Sequence, residues 1–240
     1  MERLPFEICR QPDLASCGPT CLHSVYRYLG DELLLAQVIE ECRSLESGGT
    51  LDVFLACHAL KRGYAARIYT YNLLVFDPTW FADPVADIAA KLRQQAAFKQ
   101  DPRLQVATEG YLKFLQLGGE LRFRDLTPAL IRGYLSRGIP IITGLSSTYL
   151  YRAPREYGPD DDDDDIRGEP AGHFVVLSGY DRERRAVLVC DPLLPNPVAP
   201  RHEYPVEVER VIASILLGIL TYDANLLIIQ LKPRRRARPS

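Results

Sequence analysis

Apolar residues recur at the spacing of a helix directly after Cys17. They are separated by three and four residues, which places them on one helical face: Leu22, Val25, Tyr26 and Leu29. Pro19 suits a first helical turn, where its missing N–H has no partner to lose, and Gly30 suits a helix end. The pattern therefore predicts a helix that begins at Cys17.

Further segments show either helical or strand patterns. Helical spacing predicts helices at 51–61, 83–99, 107–117, 127–138 and 206–220. Thr50 and Asp83 are the predicted N-caps of the first two. Short apolar runs predict strands at 65–71, 139–145, 173–180, 186–190 and 226–231. Helices lead and strands follow, which indicates an α+β fold with a helical N-terminal half packed on a C-terminal antiparallel β-sheet.

Composition narrows the class of protein. The 240 residues are 47% hydrophobic and 25% charged, as in a globular chain with one large domain or two small ones. A net charge of -2 provides no basic face, so no nucleic-acid partner is expected. Six cysteines are too sparse for a disulfide scaffold. No signal peptide or membrane-spanning run is visible, so we expect a cytoplasmic protein without membrane contact, and no cofactor is expected.

Cys17 occupies a position that favours nucleophilic chemistry. The first backbone N–H groups of a helix have no partner within the helix, and together with the helix dipole they stabilise an anion. The anionic thiolate is the nucleophilic form of cysteine. Gln11, six residues earlier, could offer a side-chain N–H beside the backbone N–H of Cys17. The two donors would form an oxyanion hole.

The strands 173–180 and 186–190 supply a base and its partner. If the turn between them, 181–185, is centred near residue 182, antiparallel pairing sets His173 opposite Asp191. A carboxylate beside an imidazole fixes its tautomer and stabilises the imidazolium. Such a pair would serve Cys17 as general base and acid.

These motifs, Q-x5-C-G-P-T-C followed by G-H-F-V-V-L-S-G-Y-D and V-C-D-P, resemble the bacteriocin-processing, double-glycine leader peptidases of the papain-like cysteine peptidase superfamily. The resemblance implies a papain-like fold and a peptide or peptide-like substrate. It implies catalytic roles for Cys17 as nucleophile, His173 as base, Asp191 as orienting residue and Gln11 in the oxyanion hole. Ser16 replaces the acidic residue usual before the nucleophile, and no exporter segment is visible, so a stand-alone enzyme is expected.

The expected organisation is a single catalytic domain over residues 1–232. Residues 72–126 have the least legible pattern and are interpreted as an insertion relative to those peptidases. The basic segment 233–240 is expected to be a disordered tail, because like charges repel one another. The run of aspartates 160–165 is expected to be a solvated loop, with a lid that attracts basic substrates as the alternative.

Other functions compete with peptide hydrolysis. The same residues could transfer the acyl group to an amine, or the fold could bind a partner without turnover. Cys17, Cys21 and His23 could instead hold zinc, because residues four apart share a helix face. That set lacks the second cysteine pair of a zinc finger, so no metal site is expected.

Overall fold

The structure is a computed structural model that describes residues 2–46, 48–82, 84 and 86–232. The strands are β1 (Glu2–Arg3), β2 (Ala65–Thr70), β3 (Glu120–Arg122), β4 (Ile141–Ser146), β5 (Glu156–Tyr157), β6 (Asp162–Asp163), β7 (Gly172–Asp181), β8 (Ala186–Cys190), β9 (Glu203–Glu207) and β10 (Asn225–Gln230). The helices are α1 (Cys17–Tyr28), α2 (Leu35–Glu41), α3 (Asp52–Lys61), α4 (Ile88–Phe98), α5 (Pro102–Gln116), α6 (Pro128–Leu135), α7 (Ser147–Tyr151) and α8 (Val208–Leu217). Short 3-10 helices cover Pro78–Phe81 and Gly218–Thr221.

One large sheet organises the molecule. Its strand order is β3-β2-β10-β4-β7-β8-β9, and β1 also pairs with β7. Pairing is antiparallel throughout except between β2 and β3, which run parallel. The prediction of an α+β fold with an antiparallel sheet is confirmed, although β1 and β2 come from the N-terminal half and β3 lies at the middle of the chain.

The helices bury their apolar faces against this sheet. Helix α1 packs on β7, and α3 packs on β2 and β10. Helices α6 and α8 contact each other and β4, while α4 and α5 pack together and α5 lies on α3. Ile68, Phe114, Ile142 and Val176 are among the buried side chains that join these layers into one core. Burial of such apolar surface is the main favourable contribution to folding.

The start of helix α1 is as predicted. The helix begins at Cys17 and ends before Gly30, whose φ of +83° places it in the left-handed region that favours glycine. The cap of α6 agrees as well, because the Thr127 hydroxyl accepts a hydrogen bond from the Leu130 N–H at 3.2 Å. In both segments a proline in the first helical turn, Pro19 in α1 and Pro128 in α6, marks the start of the helix in the sequence.

Two other predicted helix starts are less accurate. Thr50 is not the cap of α3, because its hydroxyl donates to the Arg43 carbonyl at 2.7 Å and the N-cap residue is Leu51. Helix α4 begins only at Ile88, where the Asp87 carboxylate accepts from the Ala90 N–H at 2.9 Å. The predicted cap Asp83 lies outside the described residues.

The predicted domain boundaries stay predictions, and the basic segment 233–240 also lies outside the described residues. Within 2–232, apart from the omitted positions, no helix is both long and apolar enough to cross a membrane. Residues 72–126 contribute α4, α5 and β3, and several of their side chains enter the common core, Leu92 and Phe114 among them.

Candidate active site

Cys17 is the first residue of α1 and only 8% exposed. The preceding loop is held by local hydrogen bonds around Asp13, whose carbonyl accepts from the Ser16 hydroxyl at 3.1 Å. Its carboxylate accepts from the Ala15 N–H at 3.0 Å. A Cβ on Gly18 would come within 2.6 Å of the Thr50 side chain, so a glycine here lets the helix start approach its neighbours closely. The chain is therefore closely packed on both sides of the sulfur.

His173 lies near the start of β7 and directs Nε2 to the Asp191 carboxylate, with a distance of 2.8 Å to Oδ1. Because Asp191 occupies Nε2, Nδ1 is the ring nitrogen left for Cys17, whose side chain lies close enough to raise the pKa of the imidazole. The structure thus places side chains from α1, β7 and the end of β8 together.

The predicted strand register is wrong by two residues. Asp181 pairs with Ala186, so the turn contains four residues and is centred beyond residue 182, and a bulge follows between Leu177 and Gly179. Val176 pairs with Cys190, and this register extends to set Asp191 opposite Val175. A shift of two residues keeps a side chain on the same face of the sheet, whereas a shift of one would reverse it. The contact between His173 and Asp191 therefore persists as a diagonal one.

Asp191 is fully buried and accepts four hydrogen bonds. Oδ1 accepts from His173 and from the Leu193 N–H at 2.9 Å, and Oδ2 accepts from the hydroxyls of Tyr151 at 2.7 Å and Tyr204 at 2.6 Å. Burial opposes ionisation, but the donors from His173 and the two tyrosines hold the pKa of Asp191 below its usual value.

Tyr151 and Tyr204 are functional candidates that the sequence pattern does not reveal. Tyr151 ends α7, and Tyr204 lies in β9, a strand that contains Pro205 and does not show a clear strand pattern. Burial raises the pKa of both phenols, and the adjacent Asp191 carboxylate raises it further. Both hydroxyls therefore remain protonated hydrogen-bond donors.

The imidazole of His173 is favoured in its charged form. Burial lowers its pKa, but the Cys17 side chain and the hydrogen bond to Asp191 outweigh burial and raise the pKa of His173 to about 10. At neutral pH the arrangement is an imidazolium between a sulfur and a carboxylate. This order of groups matches a cysteine nucleophile with an oriented acid–base partner.

Gln11 is buried in the loop that precedes Cys17. Its backbone N–H donates to the carbonyl of Pro192, the residue that follows Asp191, at 3.0 Å. One side-chain N–H donates to the Asp13 carbonyl at 2.8 Å, which fixes the amide and leaves its second N–H for another acceptor. Gln11 is thus tied both to the loop before Cys17 and to the loop after Asp191.

A cavity of about 1160 Å³ opens over Cys17 and His173. Its walls include the loop Gly48–Gly49, the first turns of α5, the segment 169–174 and residues 220–223. This volume lies slightly above the range of about 300–1,000 Å³ that is typical of small-ligand sites, so the cavity has room for a larger ligand. Asp161 lies in the wall, but most of the aspartate run 160–165 does not, and whether the run acts as a lid stays a prediction.

The other residues considered from the sequence bond elsewhere. The Cys21 thiol is fully buried and donates to the Phe174 carbonyl at 3.3 Å, and burial raises the pKa of this thiol well above its ordinary value. His23 Nε2 lies 3.0 Å from the Leu33 carbonyl. Cys21 and His23 therefore do not join Cys17 in a shared polar site.

Comparison with known families supports the resemblance seen in the motifs. Residues 120–212 match a family model described as the Peptidase_C39 like family. The match covers less than half of the chain and contains His173 and Asp191, but neither Cys17 nor Gln11. It confirms the expected similarity to cysteine peptidases of this kind. No curated protein gives a significant match to the chain.

Several solved structures are similar at low identity. The peptidase domain of Streptococcus ComA, a bi-functional ABC transporter involved in quorum sensing, aligns with 14% identity and a TM-score of 0.44, covering 95% of this chain and 99% of that one. A double glycine motif protease from an AMS/PCAT transporter, in complex with the leader peptide, aligns with 14% identity and a TM-score of 0.45, covering 96% and 94%. Xylellain, a cysteine protease from Xylella fastidiosa, aligns with 14% identity and a TM-score of 0.44, covering 97% and 87%.

Proposed function

We propose that this protein is a cysteine peptidase that hydrolyses a peptide or isopeptide bond through a thioester on Cys17. One observation carries the proposal: Cys17 and His173 line the same large cavity, close enough for the cysteine to raise the pKa of the imidazole, and the Asp191 carboxylate accepts from Nε2 of that imidazole. A nucleophile, a base beside it and an orienting group behind the base are the minimal set of groups for acyl transfer.

Each step of hydrolysis has a group to perform it. The Cys17 thiolate attacks the substrate carbonyl, and the backbone N–H of Cys17 and the free side-chain N–H of Gln11 stabilise the oxyanion. The His173 imidazolium then gives its proton to the leaving amine as the C–N bond breaks, which leaves a thioester on Cys17. Neutral His173 next takes a proton from water, and the resulting hydroxide attacks the thioester carbonyl. The C–S bond breaks, which releases the acid and restores the Cys17 thiolate beside the His173 imidazolium. Asp191 keeps the imidazole oriented throughout.

Selective alkylation tests the nucleophile. At pH 5.5 an ordinary thiol is almost fully protonated and reacts slowly with iodoacetamide, whereas a thiolate held beside an imidazolium reacts fast. We expect mass spectrometry to find one early adduct, on Cys17, and His173→Ala to slow its formation by about 100-fold or more. Cys9, which is partly exposed, serves as the internal control. Preferential labelling of Cys9, or equal labelling of all cysteines, would contradict the proposal.

Gln11 is tested by comparing two reactions of the same sulfur. Alkylation forms no oxyanion, but amide hydrolysis does. For a peptide that the wild-type protein cleaves, chosen from a proteome-derived library, Gln11→Ala should lower kcat by about 100- to 1,000-fold. The rate of Cys17 alkylation should stay within about threefold of wild type. An equal loss in both reactions would assign Gln11 to the structure of the loop instead of the oxyanion hole.

A further inference from the structure

A buried acidic residue, Asp223, lies in the wall of the cavity that contains Cys17 and His173. Its position is set by β4: a Cβ on Gly144 would come within 2.5 Å of the Asp223 Cβ, and Gly144 pairs with Phe174, the neighbour of His173. Asp223, Phe174 and His173 all line this one cavity. Asp223 is therefore within reach of a substrate bound at Cys17.

Asp223 is backed by another carboxyl group. Its Oδ1 accepts the backbone N–H of Asp52, the first residue of α3, at 2.9 Å. Asp52 is fully buried, and neither of its carboxylate oxygens has a hydrogen-bond partner in the described part of the chain. Over the same residues, no lysine, arginine or histidine forms an ion pair with Asp52 or Asp223. Buried acids without a cationic partner are rare, because desolvation of a charge is costly.

Neighbouring side chains show the same shortage of partners. Tyr111, from α5, lies close to Asp52, Asp223 and Asn225, which places all four in one cluster. Asn225 is fully buried, and apart from the nearby Tyr111 hydroxyl its amide has no hydrogen-bond partner within the described ranges. Native interiors satisfy almost all buried polar groups. A cluster that leaves several unsatisfied beside a cavity is suited to an additional ligand.

We propose that Asp223, with Asp52 behind it, forms a subsite for a cationic group of the substrate, an ammonium or a guanidinium, near the scissile bond. The inference rests on the proposed function, because that function places the scissile bond at Cys17. The cation comes either from a lysine or arginine side chain or from the α-amine of the peptide. Both sources offer the N–H donors and the positive charge that two adjacent carboxyls lack.

The chemistry of the cluster favours a cation over other ligands. An anion would be repelled, and a neutral donor would leave the carboxylate charge uncompensated in a buried site. Three arginines also line the cavity, but none of them pairs with Asp223: Arg43, Arg103 and Arg155. Burial raises the pKa of Asp223 to about 7, and burial together with Asp223 raises that of Asp52 well above its usual range. A bound cation would offset this cost of ionisation.

Peptidyl chloromethyl ketones that alkylate Cys17 provide the test. Each probe carries lysine, arginine or the uncharged analogue norleucine at one of the first four positions before the reactive group, with a free or an acetylated N-terminus. We expect lysine or arginine at one position, or the free amine at one length, to accelerate labelling of Cys17 by about 10- to 100-fold over the neutral counterpart. Acetylation separates the α-amine from a side chain.

Substitutions locate the recognising group. Asp223→Asn keeps an oxygen that can accept the Asp52 N–H, and it should reduce the preference for the cationic probe to about threefold or less, with Asp52→Asn as the second variant. Asp161→Asn and Glu169→Gln remove acids from the same cavity wall and should leave the preference unchanged. Equal labelling by cationic and neutral probes in the wild-type protein overturns the proposal. So does a preference that survives Asp223→Asn and Asp52→Asn or disappears in Asp161→Asn.

Labelling and hydrolysis separate the two proposals. The preferred peptide is also made with an ordinary amide in place of the chloromethyl ketone. Labelling that prefers the cation without any cleavage of the amide would reject the peptidase function and keep the subsite. Cleavage of amides with no preference for a cation would reject the subsite and keep the function.

Discussion

Two buried carboxyl groups lie near the cavity, Asp223 in its wall and Asp191 behind His173, and they have very different hydrogen-bond partners. Asp191 accepts four hydrogen bonds, one of them from a cationic imidazole, and its pKa is lowered. Asp223 accepts one backbone N–H and has another carboxyl as its neighbour, and its pKa is raised to about 7. Burial acts in the same direction on both groups, so the number and charge of the donors decide which one stays ionised.

The difference indicates two kinds of role. A carboxylate with all its donors in place is preorganised, and the proposed mechanism requires such a group to orient His173. A carboxyl without a cationic partner destabilises the fold, and such exceptions to normal pairing concentrate at functional sites. Both groups are buried acids. The protein itself supplies all the hydrogen-bond and charge partners of Asp191, whereas in our proposal a ligand supplies the cationic partner of Asp223.

Removing the charge of Asp191 should have the largest effect. In Asp191→Asn the neutral amide no longer stabilises the His173 imidazolium. The amide N–H groups also point at groups that donate hydrogen bonds to the wild-type carboxylate, so those hydrogen bonds are lost. We expect kcat for a cleaved peptide to fall by about 100- to 10,000-fold. Steady-state kinetics from pH 5 to pH 9 will measure it.

A residue of the same hairpin provides the control for that substitution. Asp181 caps the turn by accepting the backbone N–H groups of Glu183 and Arg184, both at 3.1 Å, and asparagine retains such an acceptor. Asp181→Asn should therefore keep wild-type kinetics. An Asp191→Asn variant with a wild-type rate and pH profile would remove Asp191 from the mechanism.

Removing the charge of Asp223 should instead stabilise the protein. Its folded-state pKa of about 7 lies above the ordinary value of 3.8, so the native state retains a proton that the unfolded state has released. The contribution of Asp223 to stability therefore falls as pH rises from about 4 to about 7. We expect Asp223→Asn to increase the free energy of unfolding by about 2 kcal/mol at pH 8 and by little at pH 4. Urea titrations at both pH values will measure the difference.

The exposed Asp161 is the matched control for this substitution. Asp161→Asn should change the free energy of unfolding by less than about 0.5 kcal/mol at either pH. If Asp223→Asn lowers the free energy of unfolding at pH 8, the ionised Asp223 carboxylate does not destabilise the native state, and the contrast with Asp191 is wrong. A gain in stability together with a loss of cation preference would join the two properties in one residue.

The position of Cys17, the proposed nucleophile, was easier to predict from the sequence than the contacts around His173 and Asp191. The spacing of apolar residues after Cys17 marks both the start and the face of α1, because helix signals are local. The register of β7 and β8 depends on the turn length and on a bulge, and neither has a clear local signal, so the predicted pairing of His173 was displaced by two residues. An even displacement keeps the same face, which is why the contact was still predicted.

Local sequence patterns do not predict contacts between segments that are distant in the chain. Tyr151 and Tyr204 meet at Asp191 only because β4, β7, β8 and β9 are neighbours in the sheet. The pairing of Asp223 with the start of α3 likewise joins residues 171 positions apart. No periodicity or spacing encodes these approaches, which follow from the order of strands.

Substitution of the two tyrosines that donate to Asp191 tests the comparison of Asp191 with Asp223 and should have the smallest effect. Tyr151→Phe and Tyr204→Phe each remove one donor from Asp191 and make it slightly more like Asp223. We expect each to lower the free energy of unfolding by about 1 kcal/mol and kcat by about fivefold. The pKa of Asp191 should rise, so the acid limb of the pH–rate profile should move to higher pH. Tyr149→Phe, an exposed tyrosine of α7, is the control and should change neither quantity.

The acid limb separates a positioning role from a merely structural one. Loss of packing would lower stability and the amount of active enzyme without moving the pH dependence of the enzyme that remains. Loss of a donor moves that dependence, and the double variant should move it further than either single one, because both hydroxyls bind the same Oδ2. A profile that stays unchanged in all three variants would mean that His173 and the Leu193 N–H alone keep Asp191 ionised.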